Sequence, residues 1–321
     1  MAIGAYIKEI GRGQAGARSL SVAQSQDLMA QLLDGGLSDL EIGAFVLAMR
    51  MKGETLDELA GFLAAVQQRC LQLPSDRPVV VIPSYNGARR LPNLTPLLAM
   101  SLAQQGARVL VHGPQRDAGR VTSAEVFHDL GLPPADSVAD VECAWARREP
   151  AVVPTGFLCP PLQRLLDVRA VVGLRNSGHT LAKMINPVAG ARALRLVNHT
   201  HPEFGLLMGA WAQRSGADVM LLRGTEGEPV ADPRRLPRLE VWLAGQLRED
   251  LSAPAQEGVL TALPLLPRER DAATTAVYVQ AVLGGEKPAP APLARQVALL
   301  MAALDEIDAP APALAAQSGP G

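Results

Sequence analysis

Aromatic residues are scarce. They make up 3% of the 321-residue chain, so alanine, leucine and valine must supply most of any core. Cysteine is scarcer still: Cys70, Cys143 and Cys159 lie far apart, with no CxxC pair and no even framework. That excludes a disulfide scaffold and predicts reduced, cytosolic thiols acting as small core hydrophobes. No apolar run approaches the roughly 18–20 residues that a membrane span needs. The opening MAIGAYIKEIGRG places Lys8, Glu9 and Arg12 where a secretory signal needs an apolar stretch. A soluble, cytoplasmic protein with no membrane partner is expected.

Lysine is also rare, at positions 8, 52, 183 and 287 among 30 basic residues. Arginine's planar fork suits phosphate better than an ammonium does, although a GC-rich genome favours arginine codons as well. The formal net charge of −2 argues against a globally basic nucleic-acid binder. The average hides segregation along the chain. Residues 84–120 carry Arg89, Arg90, Arg108, Arg116 and Arg120 against Asp117 alone, a net of +4. Residues 161–200 carry Arg164, Arg169, Arg175, Lys183, Arg192 and Arg195 against Asp167, a net of +5. Residues 241–321 carry a net of −4.

Apolar residues reach 48% and charged residues 19%, which excludes a mainly disordered chain. The length fits one large domain or two intimate ones. Residues 1–73 read helical. Ser21 is an N-cap candidate before an apolar stripe, Gly35-Gly36 ends that helix, and Ser38-Asp-Leu-Glu41 starts another. Gly53 breaks the run, and Thr55 caps a third helix. Leu73 to Pro78 reads as a hinge. Val79-Val-Val-Ile82 then suits a buried parallel strand, a helix spans about 94–105, and Arg108–Val111 is a second strand. This βαβ unit implies a parallel sheet with a right-handed crossover. Further strands are expected at 151–153 and 219–222. Further helices are expected at about 122–130, 161–182 with a break near Gly173, 203–215, 271–283 and 291–306. The expected fold class is α/β: a helical domain over 1–73, joined by helices from about 161–185, then an α/β domain over 74–307 with a mainly parallel central sheet. Residues 308–321, rich in alanine and proline, read as a flexible tail.

The segment Pro83-Ser-Tyr-Asn-Gly-Ala-Arg-Arg90 follows a strand and precedes a helix, where α/β proteins bind ligands. Amides at a helix start favour an anion. The segment is neither a Walker loop nor a GxGxxG fingerprint. His112-Gly113 ends the next strand on the same sheet edge. His199 and His201 stand two apart without zinc spacing. Ser177-Gly-His179 lacks the GxSxG elbow. Glu226-Gly-Glu228 reads as a solvated acidic turn, with both carboxylates weak candidates for a metal.

Several stretches resemble one family. Leu20-Ser21 through Met29, Ile42-Gly-Ala-Phe45, Ala48-Met-Arg50 and Lys52-Gly-Glu-Thr55 with Glu58-Leu-Ala-Gly61 are similar to the helical domain of the anthranilate phosphoribosyltransferases. The resemblance spans about residues 5–305 and implies an α/β domain of the class II nucleoside phosphorylase type. The family's diphosphate loop, GTGGDGxxTFNxST, stands here as Pro83 to Pro96: Asn93 matches, and Thr95 stands for the first hydroxyl. Pro83, Tyr85 and Asn86 replace glycines. The family's KHGNR is Val111-His-Gly-Pro-Gln115, and its acidic pair falls on Pro229-Val230. Val168-Arg169, Gly173-Leu-Arg175 and Asn186-Pro187 keep the family register, and Arg169 matches an arginine that meets the aromatic acid in the enzymes. Loss of the glycine loop, the lysine and the acidic pair argues against phosphoribosyl transfer.

The departures PSYNGAR, LTPLLA, FLCPPL, GLRNSGHTLAK and GTEGE resemble the YbiB proteins. That resemblance implies homodimers joined through the helical domain. It also implies no transferase activity, no cofactor, and binding of nucleic acid, DNA or RNA, with little sequence preference. Arg89, Arg90, Arg116, Arg120, Arg164, Arg169, Arg175 and Lys183 are the expected phosphate contacts. Ser84, Tyr85, Asn86, Gly87, Asn93, Thr95 and His112 form a degenerate anion loop. Tyr85 either stacks on a base or packs at the domain edge. Two alternatives stand beside this reading: a glycosyltransferase for a different phosphorylated substrate, cradled by the same loop, and a purely structural partner.

Overall fold

The computed structural model describes residues 3–13 and 15–309. Four helices come first: α1 (Ile3–Ile10), α2 (Val22–Leu33), α3 (Asp39–Lys52) and α4 (Leu56–Gln67). Local chemistry starts three of them. Ser21 with Gln24, Ser38 with Glu41 and Thr55 with Glu58 each form a reciprocal capping box, which satisfies otherwise orphaned amides. Glu58 does more than cap: it is fully buried, pairs with Lys52 at 2.6 Å and accepts the Leu20 amide. Gly61 sits where any Cβ would strike the Val22 carbonyl, so α2 and α4 pack at close range.

The remainder is β1 (Leu73–Pro74), β2 (Val79–Pro83), α5 (Thr95–Gln104), β3 (Arg108–Gly113), α6 (Ser123–Asp129), α7 (Val138–Ala146) and β4 (Ala151–Pro154). Next come α8 (Thr155–Leu158), α9 (Pro160–Val172), α10 (Ser177–Leu181), β5 (Val188–Ala189), β6 (Ala193–His199) and α11 (Pro202–Ser215). The chain closes with β7 (Val219–Arg223), β8 (Leu239–Leu243), β9 (Gln246–Leu247), α12 (Ala272–Leu283) and α13 (Ala291–Asp308). The main sheet runs β4-β3-β2-β6-β7-β8-β9; β4 through β7 are parallel, and β8 and β9 are antiparallel. A helical N-terminal part followed by an α/β part with a mainly parallel sheet is the architecture read from the sequence.

Both sheet faces are buried, which explains the unbroken apolar run of β2. Val79 and Val81 join the core shared with α2–α4 and α9–α11. Val80 and Ile82 join a second core with α5, α12 and α13. Arg164 of α9 donates to the Leu33 carbonyl, and Ser177 of α10 donates to Glu54 at 2.6 Å, so both helices hold the N-terminal bundle.

Three local readings need correction. Leu73-Pro74 is not a free hinge: Leu73 is fully buried, and the pair forms a parallel bridge to Val188-Ala189. Cys143 is exposed rather than part of the core, whereas Cys70 and Cys159 are buried. The antiparallel β8–β9 edge, α7 and β6 carry mixed polar and apolar residues and gave no clear periodic signal. The expected flexible tail lies, beyond residue 309, outside the described residues. Among the described residues no helix is long and apolar enough to cross a membrane.

Candidate functional site

The strand order makes a switch point. From the β2–β6 pair the chain builds outward to β3 and β4 on one side and to β7 on the other. Loops leaving the carboxyl ends of β2 and β6 therefore diverge and open a crevice, the usual ligand position in such sheets. The loop 84–94 follows β2, and His199 ends β6.

That loop is an anion receptor, and it is filled from within. The Asn86 and Gly87 amides each donate to Glu228 Oε1 at 2.7 Å. The Ser84 hydroxyl and Thr95 Oγ1 donate to the other oxygen, the latter at 3.1 Å. Glu228 is 1% exposed. A buried carboxylate survives only when donors replace its water, and here four do. Glu226 extends the plug: the Arg89, Arg90 and Leu91 amides donate to it at 3.1, 2.9 and 2.8 Å. Residues 225–228 form a tight turn with φ of +53° at Glu226 and +90° at Gly227, closed by the Glu228 amide on the Thr225 carbonyl. A Cβ at Gly227 would overlap the Asn86 amide, so glycine is required there. The expected solvated acidic turn is thus an insert into the loop, with Glu228 buried and Glu226 partly exposed. Its carboxylates face N–H and O–H donors rather than a cation, and no group of three His, Cys, Asp or Glu among the described residues is placed to hold a metal.

The other loop residues brace this insert. Asn93 is buried, donates to the Val121 carbonyl and Ser123, and accepts the Thr95 amide. Gly87 is required on two counts: its φ is +63°, and a Cβ would sit 2.9 Å from the Val121 carbonyl. Tyr85 is 4% exposed and offers no open face for a base. Its hydroxyl lies 2.8 Å from His112 Nδ1 and accepts from Thr155 Oγ1 at 3.2 Å. Burial holds the Tyr85 phenol well above its ordinary range and pushes His112 down to about 3, so His112 is neutral.

The cations gather around the plug. Arg89 and Arg90 are exposed at the loop tip, and Arg116 is exposed on the loop after β3. Arg120 donates to the Gly87 carbonyl at 3.1 Å. Arg169 pairs with Asp117 at 3.2 Å and keeps 38% of its side chain exposed. Arg175 reaches the Tyr85 carbonyl; burial, then Arg169 and Arg120, pull it down to about 10. Lys183 is buried with Nζ 3.4 Å from the Asn198 carbonyl, and burial and Arg175 lower it to about 8. Arg164 does not join them. It lies about 140° around α9 from Arg169, as five helical positions dictate, and caps the end of α2 instead. Arg108 and Arg192 pair with Asp76 and Asp218, and Arg195 lies over Trp211.

The sequence reading missed a second arginine group, Arg223, Arg234, Arg235 and Arg238. They line a cavity of about 1040 Å³ that reaches Arg90. Glu226, Glu228 and Asp232 mask them in any window of net charge, yet two of those acids are consumed by the loop.

Residues 5–70 match the helical bundle domain model of the glycosyl transferase family. The chain is 38% identical over 303 residues to YbiB of Escherichia coli K12, covering 94% of this chain and 93% of that one. It is 30% identical over 299 residues to the anthranilate phosphoribosyltransferase of Anaeromyxobacter sp. strain K, covering 88% and 85%. The crystal structure of anthranilate phosphoribosyltransferase from Thermus thermophilus superposes with a TM-score of 0.67 at 22% identity, covering 94% and 88%. The Saccharomyces cerevisiae enzyme in complex with PRPP and Mg also gives 0.67, at 15% identity over 95% and 89%. Such a diphosphate with its metal does not fit the loop as arranged here. The donors already serve Glu228, and the carboxylates of Glu226 and Glu228 are locked on amides. The chain belongs to the glycosyl transferase family that unites the anthranilate phosphoribosyltransferases with the YbiB protein of Escherichia coli.

Proposed function

We propose that this protein binds nucleic acid, DNA above all and RNA also, with little sequence preference and without altering it chemically. The observation that carries the reading is the Glu228 insert. It satisfies the loop that would otherwise take a small phosphate, and leaves Arg89, Arg90 and Arg120 around the mouth for a larger anion, with Arg116 exposed on the loop after β3. Arg89, Arg90 and Arg116 have no ion pair among the described residues. Phosphate contacts of this kind give affinity and carry no sequence information. A homodimer through the helical part fits a stripe on α3, where Leu40 is 83%, Leu47 47% and Met51 71% exposed at helical spacing. Two such protomers bring two basic clefts to one particle.

A gel-shift panel of DNA and RNA at two salt concentrations tests this. Retention should fall steeply with salt, with a log–log slope near −0.9 per phosphate on duplex. Salt-independent retention, or none, overturns it.

One observation favours a second reading, an enzyme for a different phosphorylated substrate. A crevice of about 250 Å³ lies between α3 and α10, lined by Arg175 and Lys183. Asn86 Oδ1 and Asn198 Oδ1 are buried there without partners among the described residues. A large melting-temperature shift with phosphoribosyl diphosphate and Mg²⁺, abolished by chelator, would support it.

A further inference from the structure

The sheet face beside α11 is incompletely covered. α11 packs Met208, Trp211 and Ala212 over β6 and β7. On β8, Leu239, Val241 and Leu243 enter the opposite core, so Glu240 and Trp242 point to the α11 side. Gly209 of α11 faces one edge of the Trp242 ring, and beyond that edge the cavity of about 1040 Å³ opens over the partly exposed Glu240 and Trp242. Its floor is apolar, built from Leu221, Trp242 and Pro237. Its size matches the upper end of ligand pockets, roughly 300–1,000 Å³.

The rim is cationic. Three carboxylates line it, and each is engaged: Glu226 by the loop amides, Asp232 by Arg234 at 2.8 Å, and Glu240 by Arg238 at 2.6 Å. Arg90, Arg223 and Arg235 remain with no ion pair among the described residues. Trp145 and Trp211 are 9% and 4% exposed and already occupied, by the Val109 carbonyl and by Arg195. Trp242 is the partly exposed one, and its Nε1 is buried without a partner among the described residues.

An apolar floor with an aromatic ring, ringed by unpaired arginines, has the chemistry of a nucleotide site: a base on the floor, phosphates on the rim. We infer that this cavity takes bases of a single-stranded polynucleotide, with Trp242 as the stacking surface and Arg90, Arg223 and Arg235 as phosphate contacts. The inference rests on the nucleic-acid reading above and adds strand preference to it. Duplex bases are paired and stacked, and cannot reach a recessed ring without being extruded. Arg90 belongs to both the loop tip and the cavity, so one strand can run from the cleft mouth into the groove.

The test is tryptophan fluorescence of the full chain, titrated with a short oligothymidylate and with a duplex of equal length. The single strand should quench the emission and the duplex should not. Trp242→Leu should abolish that quenching and lower the ratio of single-strand to duplex affinity about tenfold, within the range of one base stack. Arg223→Ser with Arg235→Ser, both exposed, should flatten the single-strand salt slope by roughly 0.7 per arginine. This pair keeps the test decisive if Trp242→Leu fails to fold. Binding of both nucleic acids with quenching, affinity ratio and slope unchanged in the variants overturns the cavity assignment and leaves the parent reading standing. Absence of binding by either nucleic acid overturns both.

Discussion

Glu228 and Gly87 lie 141 residues apart in sequence, and the carboxylate of one accepts the backbone N–H of the other at 2.7 Å. Through that bond a turn from the far side of the sheet occupies the loop of the near side.

Glu228→Ala leaves four buried donors without an acceptor. Unfolding in urea should show a loss of about 3–5 kcal/mol, the usual cost of removing one member of a buried charged network. Sulfate should raise the melting temperature of this variant more than that of the parent, because it refills an anion site. Equal shifts would show that the loop does not recognise anions as such.

Arg89→Glu with Arg90→Glu reverses two exposed charges at the loop tip. Nucleic-acid affinity should fall about alike for every sequence tested, with a shallower salt dependence. Unaltered affinity would remove the loop tip from the interface.

Acid should destabilise the protein through two histidines. Burial lowers both His112 and His179 to about 3 in the folded state, against 6.5 unfolded. The unfolded chain binds more protons between those values, so stability falls as pH drops below about 6.5 and levels only near 3. A pH series of urea midpoints checks this, and His179→Gln should make the decline gentler.

Lys183 acts at the alkaline end. Its folded value of about 8 lies below the ordinary 10.5, so the folded state releases its proton first. Stability contributed by this group is missing below pH 8 and returns as pH rises towards 10.5. Lys183→Met should remove that rise and add up to about 3 kcal/mol at neutral pH. A flat alkaline profile in the parent would show the amine to be solvated.

Leu47→Glu with Met51→Glu places charges on the exposed stripe of α3. Sedimentation should report a dimer for the parent and a monomer for this variant. A dimer that persists puts the interface elsewhere.

Much of the fold was legible because its causes are local. Ser38 and Glu41 stand three residues apart and cap a helix whatever the rest of the chain does. The β-branched run 79–82 reads as a strand buried on both faces, and both its faces are filled. The mixed strand β6, interrupted by Arg195, gave no such signal. Arg195 is accommodated by the Trp211 ring and the Met184 carbonyl, neither of which a local window contains.

The site was legible only in part. Arg89 and Arg90 were found because a strand–loop–helix pattern marks the sheet edge. Arg164 was grouped with Arg169 by proximity in sequence, although helix geometry alone separates their directions. For Tyr85 the polar loop leaves stacking on a base and packing at the domain edge both open, and the fold decides for packing, with the hydroxyl reaching inward to His112.

The sequence alone determined helix starts, buried strands, the α/β class and the segregation of arginine, since each depends on residues a few positions apart. Tertiary structure decided which charges are free. The order β3-β2-β6-β7 brings residues 226 and 228 onto the loop at 84–91, and only that juxtaposition makes two apparent surface acids the loop's own anions, Glu228 buried and Glu226 partly so. A carboxylate's role depends on which donors surround it, and those donors are set by strand order rather than by neighbours along the chain.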